Sequence, residues 1–365
     1  GVTGTPALPM DINYVRGGMW DMHHAWDMGN DISLKTDVFY QKMRHLMSNN
    51  ILRTPANAMT NRTKVEAGGI SMALAMPFNS GQLTVGVDGD QSNHDANSTM
   101  TMMGGTSATN YFNKVERDRY SIFTEWAGAV SEDISVELGA RYTHTWSDAG
   151  DVSSEIAMGA TSRTNARNAF NALERTKNYN LVDLVAELQF NASSELDVNV
   201  GVARKNRAPT YQELYLWYGS AANAGFADGK TYIGDTGLEA ETAYQFDLGL
   251  DWHTADVYVA PNVFYHYVED YIMGQTSVKA QGGTGNDYDA DLQWSNIGGA
   301  QFFGAELEAG YKFTDHIRTD ASLNYVRGMR INALNGDDDL YRIAPLNGRL
   351  QLTYEESNWS TSMEG

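Results

Sequence analysis

The residue pair with the clearest chemical potential is His45 and Met47, which stand two positions apart in the chain. On a β-strand, side chains two positions apart point to the same face. An imidazole and a thioether on one face can therefore reach the same ion, and thioether sulfur is a soft ligand that suits Cu(I). The alternative is ordinary packing, with Met47 against its neighbours beside a surface histidine.

Two further stretches place methionines among polar residues. One contains Met19, Met22, His23, His24 and Met28, and the other contains Met100, Met102 and Met103. Thioethers gain little from packing in a water-exposed loop, so a series of weak, exchangeable Cu(I) contacts is one interpretation. The other is that these methionines face lipid or pack within loops.

The composition excludes several classes of function. The 365 residues include no cysteine, so disulfides and thiolate zinc sites are absent. The formal net charge is −20, which argues against nucleic-acid binding because a phosphate backbone needs a basic face. The sequence has no nucleophile elbow, no zinc-protease motif and no phosphate loop, so we expect no enzyme.

The elements that carry these residues show period-2 alternation of apolar and polar side chains. One such run places Ile134, Val136, Leu138, Ala140 and Tyr142 on one face, with Ser135, Glu137, Gly139 and Arg141 on the other. Runs of about 10 residues with this pattern are typical of transmembrane β-strands. Soluble sandwiches alternate too, but their strands average about 5–6 residues.

Connections and aromatic residues favour the membrane interpretation over a soluble β-fold. Short turns, as at residues 79–81 and 131–133, alternate with long polar stretches such as residues 91–113, 148–177, 206–241 and 275–292. Aromatic residues cluster toward the strand ends, as in the girdles of membrane barrels. The chain therefore predicts an all-β fold, a transmembrane antiparallel up-and-down β-barrel of about 13 or 14 strands, with a short helix within residues 159–175.

Four motifs in order resemble the TonB-dependent outer-membrane receptors. The first is Arg204-Lys-Asn-Arg-Ala-Pro-Thr-Tyr-Gln-Glu-Leu-Tyr215, which is similar to a hallmark of that family. The second is Gly237-Leu-Glu-Ala-Glu-Thr242, in which Ala240 replaces the usual proline. The others are Asn262-Val-Phe-Tyr-His-Tyr-Val-Glu-Asp-Tyr-Ile272 and, after Asn296, Gly304-Ala-Glu-Leu-Glu308. Each match alone is weak, but four in the family's order and spacing are specific.

The resemblance implies a 22-strand barrel in the outer membrane of a Gram-negative cell. Such a barrel is plugged from inside by an N-terminal domain and energised through TonB. About 14 of the implied 22 strands are present here and no plug segment is recognisable, so we expect residues 1–365 to form a partial barrel domain in contact with outer-membrane lipid.

The block around His45 also resembles the copper-type subgroup of these receptors, in which a His-x-Met element on the barrel wall faces ligands from the plug. This likeness implies that His45 and Met47 bind copper as the transported ligand and that TonB acts through the missing plug. The alternatives are a siderophore or cobalamin receptor, which holds a large chelate by aromatic and arginine contacts, and a passive outer-membrane channel.

Overall fold

A computed structural model describes residues 2–5, 8–102, 105–155, 161–218, 230–276, 292–331 and 338–365. Met103 and residues 159–160 of the expected helix lie outside these ranges. The strands are β1 (Val2–Thr5), β2 (Leu8–Gly29), β3 (Ile32–Ser48), β4 (Ala58–Phe78), β5 (Gly81–Met102), β6 (Gly105–Ala129), β7 (Ile134–Asp148), β8 (Ser154–Glu155), β9 (Lys177–Ser193), β10 (Leu196–Arg207), β11 (Tyr232–Ile233), β12 (Glu241–His253), β13 (Val257–Glu269), β14 (Ile272–Thr276), β15 (Leu292–Asn296), β16 (Gly299–Lys312), β17 (Ile317–Ile331), β18 (Asn347–Glu356) and β19 (Trp359–Glu364). The helices are α1 (Thr161–Asn171) and α2 (Tyr211–Tyr215).

One antiparallel sheet dominates the described part of the chain. Its strands follow in the order β1-β2-β3-β4-β5-β6-β7-β9-β10-β12-β13-β16-β17-β18-β19, and β8 pairs with β6. Fourteen of these strands have six residues or more, which confirms the predicted number. A second sheet, β11-β15-β14, has three short strands. No helix within the described ranges is long and apolar enough to cross a bilayer.

The two faces of the main sheet differ as the alternation predicts. Most of the large apolar strand side chains that are 37–74% exposed lie on one face, as expected where lipid rather than protein covers them. Tyrosines stand on that face toward one end of the strands: Tyr40, Tyr120, Tyr142, Tyr244, Tyr265 and Tyr325. Over the lipid-facing length of the strands, the opposite face carries most of the charged residues, such as Asp37, Arg141 and Asp247. We call these the outer and inner faces.

Apart from the two-residue β1–β2 and β5–β6 connections, short and long connections lie at opposite ends of the sheet. The short ones are residues 30–31, 79–80, 130–133, 194–195, 254–256, 313–316 and 357–358. The long ones include residues 49–57, 149–176, 208–240, 270–298 and 332–346. We call the two ends the short-turn end and the long-loop end, and their separation confirms the predicted up-and-down arrangement.

The prediction of one long loop is wrong. Residues 91–113 were predicted to form a long outer loop, but β5 continues to Met102 and β6 begins at Gly105, so the hairpin extends well beyond the lipid-facing part. The register holds from Gly81↔Gly128 to Met102↔Gly105, with irregularities near Ala96. Beyond the bilayer both faces of a hairpin can be polar, so the ladder continues where the hydrophobic alternation stops.

Aromatic rings lie over glycines of neighbouring strands on the inner face. A Cβ on Gly304 would lie 2.5 Å from the Cζ of Phe264, and a Cβ on Gly86 would strike the ring of Phe123. In both pairs the two residues are register partners on adjacent strands. The rings therefore lie flat along the wall, in the space that a side chain at Gly304 or Gly86 would occupy.

The principal buried core lies at the long-loop end, on the inner side of β5, β6, β7 and β9. The segment at and after α2 supplies Leu214, Tyr215, Leu216 and Trp217, all at most 1% exposed. They pack with inner-face residues of the strands, among them Phe112, Val115, Tyr179 and Leu181. This core holds the connection between β10 and β12 against the wall.

Candidate metal centre

His45 and Met47 lie near the long-loop end of β3. His45 is the fourteenth residue of that strand, counted from its start at Ile32 beside a short turn. Fourteen residues on a strand tilted about 40° rise about 35 Å, which exceeds the apolar band of about 25 Å. Both residues share the inner face with Asp37 because odd-numbered residues of β3 point that way. As the spacing predicts, their side chains stand on one face, above the lipid-facing band.

The strands on either side surround the pair with uncharged residues. His45 is in register with Val15 of β2 and Thr63 of β4. Met47 is in register with Ile12 and Asn61. Register partners in an antiparallel sheet have Cβ atoms about 4.5–5.5 Å apart. No carboxylate therefore occupies the positions directly beside either side chain.

The His45 imidazole is half-buried, and its Nε2 atom has no hydrogen-bond partner within the described residues. A buried polar atom without a partner is uncommon, because losing water without compensation is unfavourable. Burial lowers the pKa of His45, so the ring stays neutral at neutral pH. Neutral imidazole is the form that binds metal ions. The histidine is therefore in the state that a metal ligand requires.

Further thioethers line the inner wall beside Met47. Met59 of β4 stands two positions from Asn61, the register partner of Met47, and is itself in register with Met100 of β5. These three methionines share the inner face of three adjacent strands, and we call them the methionine wall. Met59 is 4% exposed, and its backbone N–H donates to the Oδ1 of Asn49 at 2.7 Å. The expected loop position of Met100 is corrected, because the residue belongs to β5.

The other methionine and histidine stretch is divided between the two faces of β2. Met19 and His23 are in register with Gln41 and Asp37, which places them on the inner face. His23 is already paired, since its Nδ1 lies 2.6 Å from Asp37 and its Nε2 lies 3.3 Å from Asp21.

On the outer face of β2, Met22 and His24 stand with the tryptophans, in register with Val38 and Thr36 of β3. The structure does not bring these two residues to His45. No group of three or more histidines or carboxylates that could hold a metal occurs in the described part of the chain.

A dense ion-pair cluster on the same inner wall was not recognised from the sequence as a structural unit. Arg207, at the end of β10, donates to both oxygens of Glu241 at 2.6 and 2.7 Å and to both oxygens of Glu213 at 2.8 and 3.1 Å. Glu213 also completes a capping box with Thr210 at α2. A Thr-x-x-Glu sequence is the recognised signature of that box, so the signal was present.

A second feature missed from the sequence is a cavity of about 770 Å³ next to this cluster. Its lining includes Tyr271 and Tyr341 together with Arg330 and Arg342. The Nε of Arg330 is buried without a hydrogen-bond partner among the described residues. Seven separate stretches of the chain contribute to this cavity, so no local sequence motif predicts it.

Residues 4–364 match the family described as TonB dependent receptor-like, beta-barrel. No protein of curated function matches the sequence. Among solved structures, the fold is similar to that of the "Copper transporter OprC", with a TM-score of 0.75, 21% identity and coverage of 97% of this chain and 52% of that one.

Two iron receptors are also similar in fold. The ferric yersiniabactin uptake receptor FyuA from Yersinia pestis has a TM-score of 0.59 and 15% identity over 96% of this chain and 49% of that one. The ferric citrate transporter FecA has a TM-score of 0.64 and 13% identity over 98% and 49%. The chain thus spans about half the length of the solved proteins that it matches.

Proposed function

The chain belongs to the β-barrel family of TonB-dependent receptors, and on that basis we propose that it forms part of an outer-membrane receptor for the TonB-energised uptake of copper. Members of this family are transporters rather than enzymes, which agrees with the lack of a catalytic motif in the sequence. The remaining question is which cargo the receptor transports, since receptors of similar fold transport different cargoes.

The observation that carries the proposal is the placement of a neutral His45 beside the thioether of Met47. Its Nε2 is buried without a hydrogen-bond partner in the described residues, and burial keeps the ring neutral. Met47 shares its face two positions away, and no carboxylate is in register with either residue. An imidazole beside a thioether, with no carboxylate in register, favours Cu(I) over Fe(III).

The methionine wall supports the same cargo. Met59 and Met100 continue a thioether surface from Met47 toward the long-loop end. Weak thioether contacts suit an ion that must bind and then move on. The similarity in fold to a solved copper transporter agrees with this cargo.

We infer that His45 and Met47 supply two ligands and leave the remaining coordination positions to groups outside this chain. In the family, the plug lies inside the barrel and receives energy through TonB. The proposed sequence is capture at the long-loop end, ligation between barrel wall and plug, and release when TonB rearranges the plug.

A second candidate is a receptor for an anionic metal chelate, as in siderophore uptake. The cavity beside the ion-pair cluster favours it, because arginines and tyrosines there offer cationic and aromatic contacts to a large anion. His45 and Met47 would then be irrelevant to transport.

The deciding experiment measures copper per receptor by elemental analysis, with iron and zinc read together, on the full-length protein purified from outer membranes. We expect near-stoichiometric copper in the wild type and its loss in His45→Ala/Met47→Ala. Met22→Ala/His24→Ala is the matched control, because it removes the same two residue types at the same spacing from the outer face of the adjacent strand. Equal copper in wild type and His45→Ala/Met47→Ala would refute these ligands, and iron in place of copper would favour the chelate receptor.

A further inference from the structure

The outer face carries a concentration of positive charge at the long-loop ends of β2, β3 and β4. It consists of Arg16, Lys42, Arg44, Arg62 and Lys64, which we call the basic patch. The whole chain has a net charge of −20, so five cations on three adjacent strands stand out. Even-numbered residues of β3 and β4 point outward here, as Tyr40 and Ile70 do farther down the same strands.

Strand register places like charges side by side within the basic patch. Arg16 is the partner of Arg44, and Arg44 is the partner of Lys64. Like charges directly opposite each other destabilise a sheet, and Arg44, in the middle of this row, has a cation on both sides. Such a row is favourable only when anionic groups lie over it.

The carboxylates nearby offset only part of the charge of the basic patch. Glu66 lies 3.2 Å from Lys42 and 3.8 Å from Lys64 and also accepts the hydroxyl hydrogen of Tyr40. Arg44 and Arg62 are exposed and have no carboxylate partner among the described residues. Their guanidinium groups therefore remain available to an external anion.

Acidic residues lie opposite and beyond the last strand of the patch. Asp95 of β5 is in register with Lys64, but its Oδ1 accepts the backbone N–H of Lys114. On β6 the outward positions at this height include Glu116 and Asp118. The positive charge of the basic patch thus ends at β4, because the next two strands carry acidic residues at this height.

The height of the basic patch matches the level of lipid headgroups. Lys42 and Arg44 stand about 12 residues from the short turn, or about 30 Å above it for a strand tilted about 40°. The apolar band of a membrane barrel is about 25 Å tall, and Tyr40 lies directly below the patch at the position of an aromatic girdle. Headgroup phosphates at the long-loop side of the bilayer meet the barrel at this level.

We propose that the basic patch binds the phosphate groups of lipids in the surrounding outer leaflet. Guanidinium groups bind phosphate through paired hydrogen bonds, and each cation near an anionic lipid surface strengthens binding by a factor of about five. The lipid phosphates reduce the repulsion between the cations of the row and hold this sector of the barrel at the headgroup level. The proposal is independent of the metal cargo.

The test uses the full-length receptor in mild detergent, titrated with bisphosphorylated lipid A and, separately, with its fully dephosphorylated form, and read by native mass spectrometry. We expect Arg44→Gln/Arg62→Gln to weaken binding of the phosphorylated form about 20-fold. Arg44→Lys/Arg62→Lys retains the charge and should stay within about threefold of wild type. Wild type should bind the dephosphorylated form at least tenfold more weakly than the phosphorylated one.

The matched control is Arg327→Gln/Arg349→Gln, which removes two arginines that already have carboxylate partners, Asp339 at 3.3 Å and Glu364 at 2.9 Å. It should bind the lipid as the wild type does. Unchanged binding in Arg44→Gln/Arg62→Gln, equal loss in the control, or equal affinity for the dephosphorylated lipid would each overturn the proposal. Heat-modified migration on gels verifies that every variant is folded.

Discussion

The methionine wall and the ion-pair cluster occupy the same inner surface at the long-loop end but are built in opposite ways. In the ion-pair cluster, Arg207 makes four hydrogen bonds to the carboxylates of Glu213 and Glu241. The charged groups of the first region are paired with each other. In the second region, beside the methionine wall, the Nε2 atom of His45 has no hydrogen-bond partner among the described residues.

The difference indicates how one wall can serve two purposes. A paired guanidinium fixes the geometry of the chain, because removing either side leaves an uncompensated charge. Soft side chains around an unpaired imidazole impose little on the backbone, and under the proposed function they would accept and release an ion without rearranging it. Changes in the first region should therefore affect stability, and changes in the second should affect binding.

Arg207→Ala should have the largest effect, because it leaves Glu213 and Glu241 together without their cation. Breaking a fully buried pair costs about 3–5 kcal/mol. The Arg207 side chain is 40% exposed, so we discount the loss to about 2 kcal/mol. The readout is the temperature at which the folded full-length receptor converts to its unfolded band on a gel.

Arg318→Ala is the control for this variant, since the Arg318 side chain is 58% exposed and lies 3.6 Å from Asp320. It should leave the conversion temperature nearly unchanged. If Arg207→Ala lowered copper content without lowering that temperature, the distinction between the two regions would fail.

Met59→Leu/Met100→Leu should weaken binding of Ag(I), used as a stable substitute for Cu(I), about tenfold, as expected when groups around a metal site are changed. Methionine and leucine have similar volumes, so the fold should lose less than about 1.5 kcal/mol. Affinity is measured by competition titration on the full-length receptor. Met72→Leu/Met76→Leu, on the outer face of β4, is the control. Equal Ag(I) affinities in the wild type and both variants would exclude the methionine wall from binding.

The pH dependence of metal binding should show the smallest effect. Burial lowers the pKa of His45, so its neutral form persists below the ordinary value of 6.5. A histidine of pKa 6.5 would weaken metal binding about tenfold between pH 7.5 and pH 5.5 through competition with protons. We expect a smaller loss for Ag(I) over that interval, and a loss of tenfold or more would show that His45 is not buried as described.

His94 is a useful contrast to His45. Burial lowers its pKa to about 4, and its Nδ1 lies 3.1 Å from the hydroxyl of Tyr211. Its ring also packs on Phe112 at 4.8 Å between centroids. The Nε2 of His94 is also buried without a hydrogen-bond partner among the described residues. Neither a low pKa nor an unpaired Nε2 therefore distinguishes a ligand from a core histidine, and the neighbouring thioether is what sets His45 apart.

The fold was largely predictable because lipid imposes a strict alternation on each strand. Runs such as Ile134 to Tyr142 had to be strands with an apolar outer face. The extension of β5 and β6 was not predictable in this way, because above the bilayer water replaces lipid and the apolar face disappears. Hydrogen bonding between the strands continues there without a signal in hydropathy.

The candidate site was predictable only within one strand. The spacing of His45 and Met47 fixes their common face, since that depends on β3 alone. The position of Met59 and Met100 depends on the register across β3, β4 and β5, which is set by hydrogen bonds and turns. No spacing along the sequence carries that information.

The rings that lie over glycines have a consequence for inheritance. A Cβ on Gly304 would strike the backbone oxygen of Tyr325 as well as the ring of Phe264, and a Cβ on Gly86 would lie 2.7 Å from the backbone oxygen of Met72 as well as against the ring of Phe123. A smaller residue at the ring position therefore does not make room for a side chain at the glycine, and a codon change at Gly304 should be selected against whatever stands at position 264. Among descendants of this gene, the two glycines should persist while the ring positions vary.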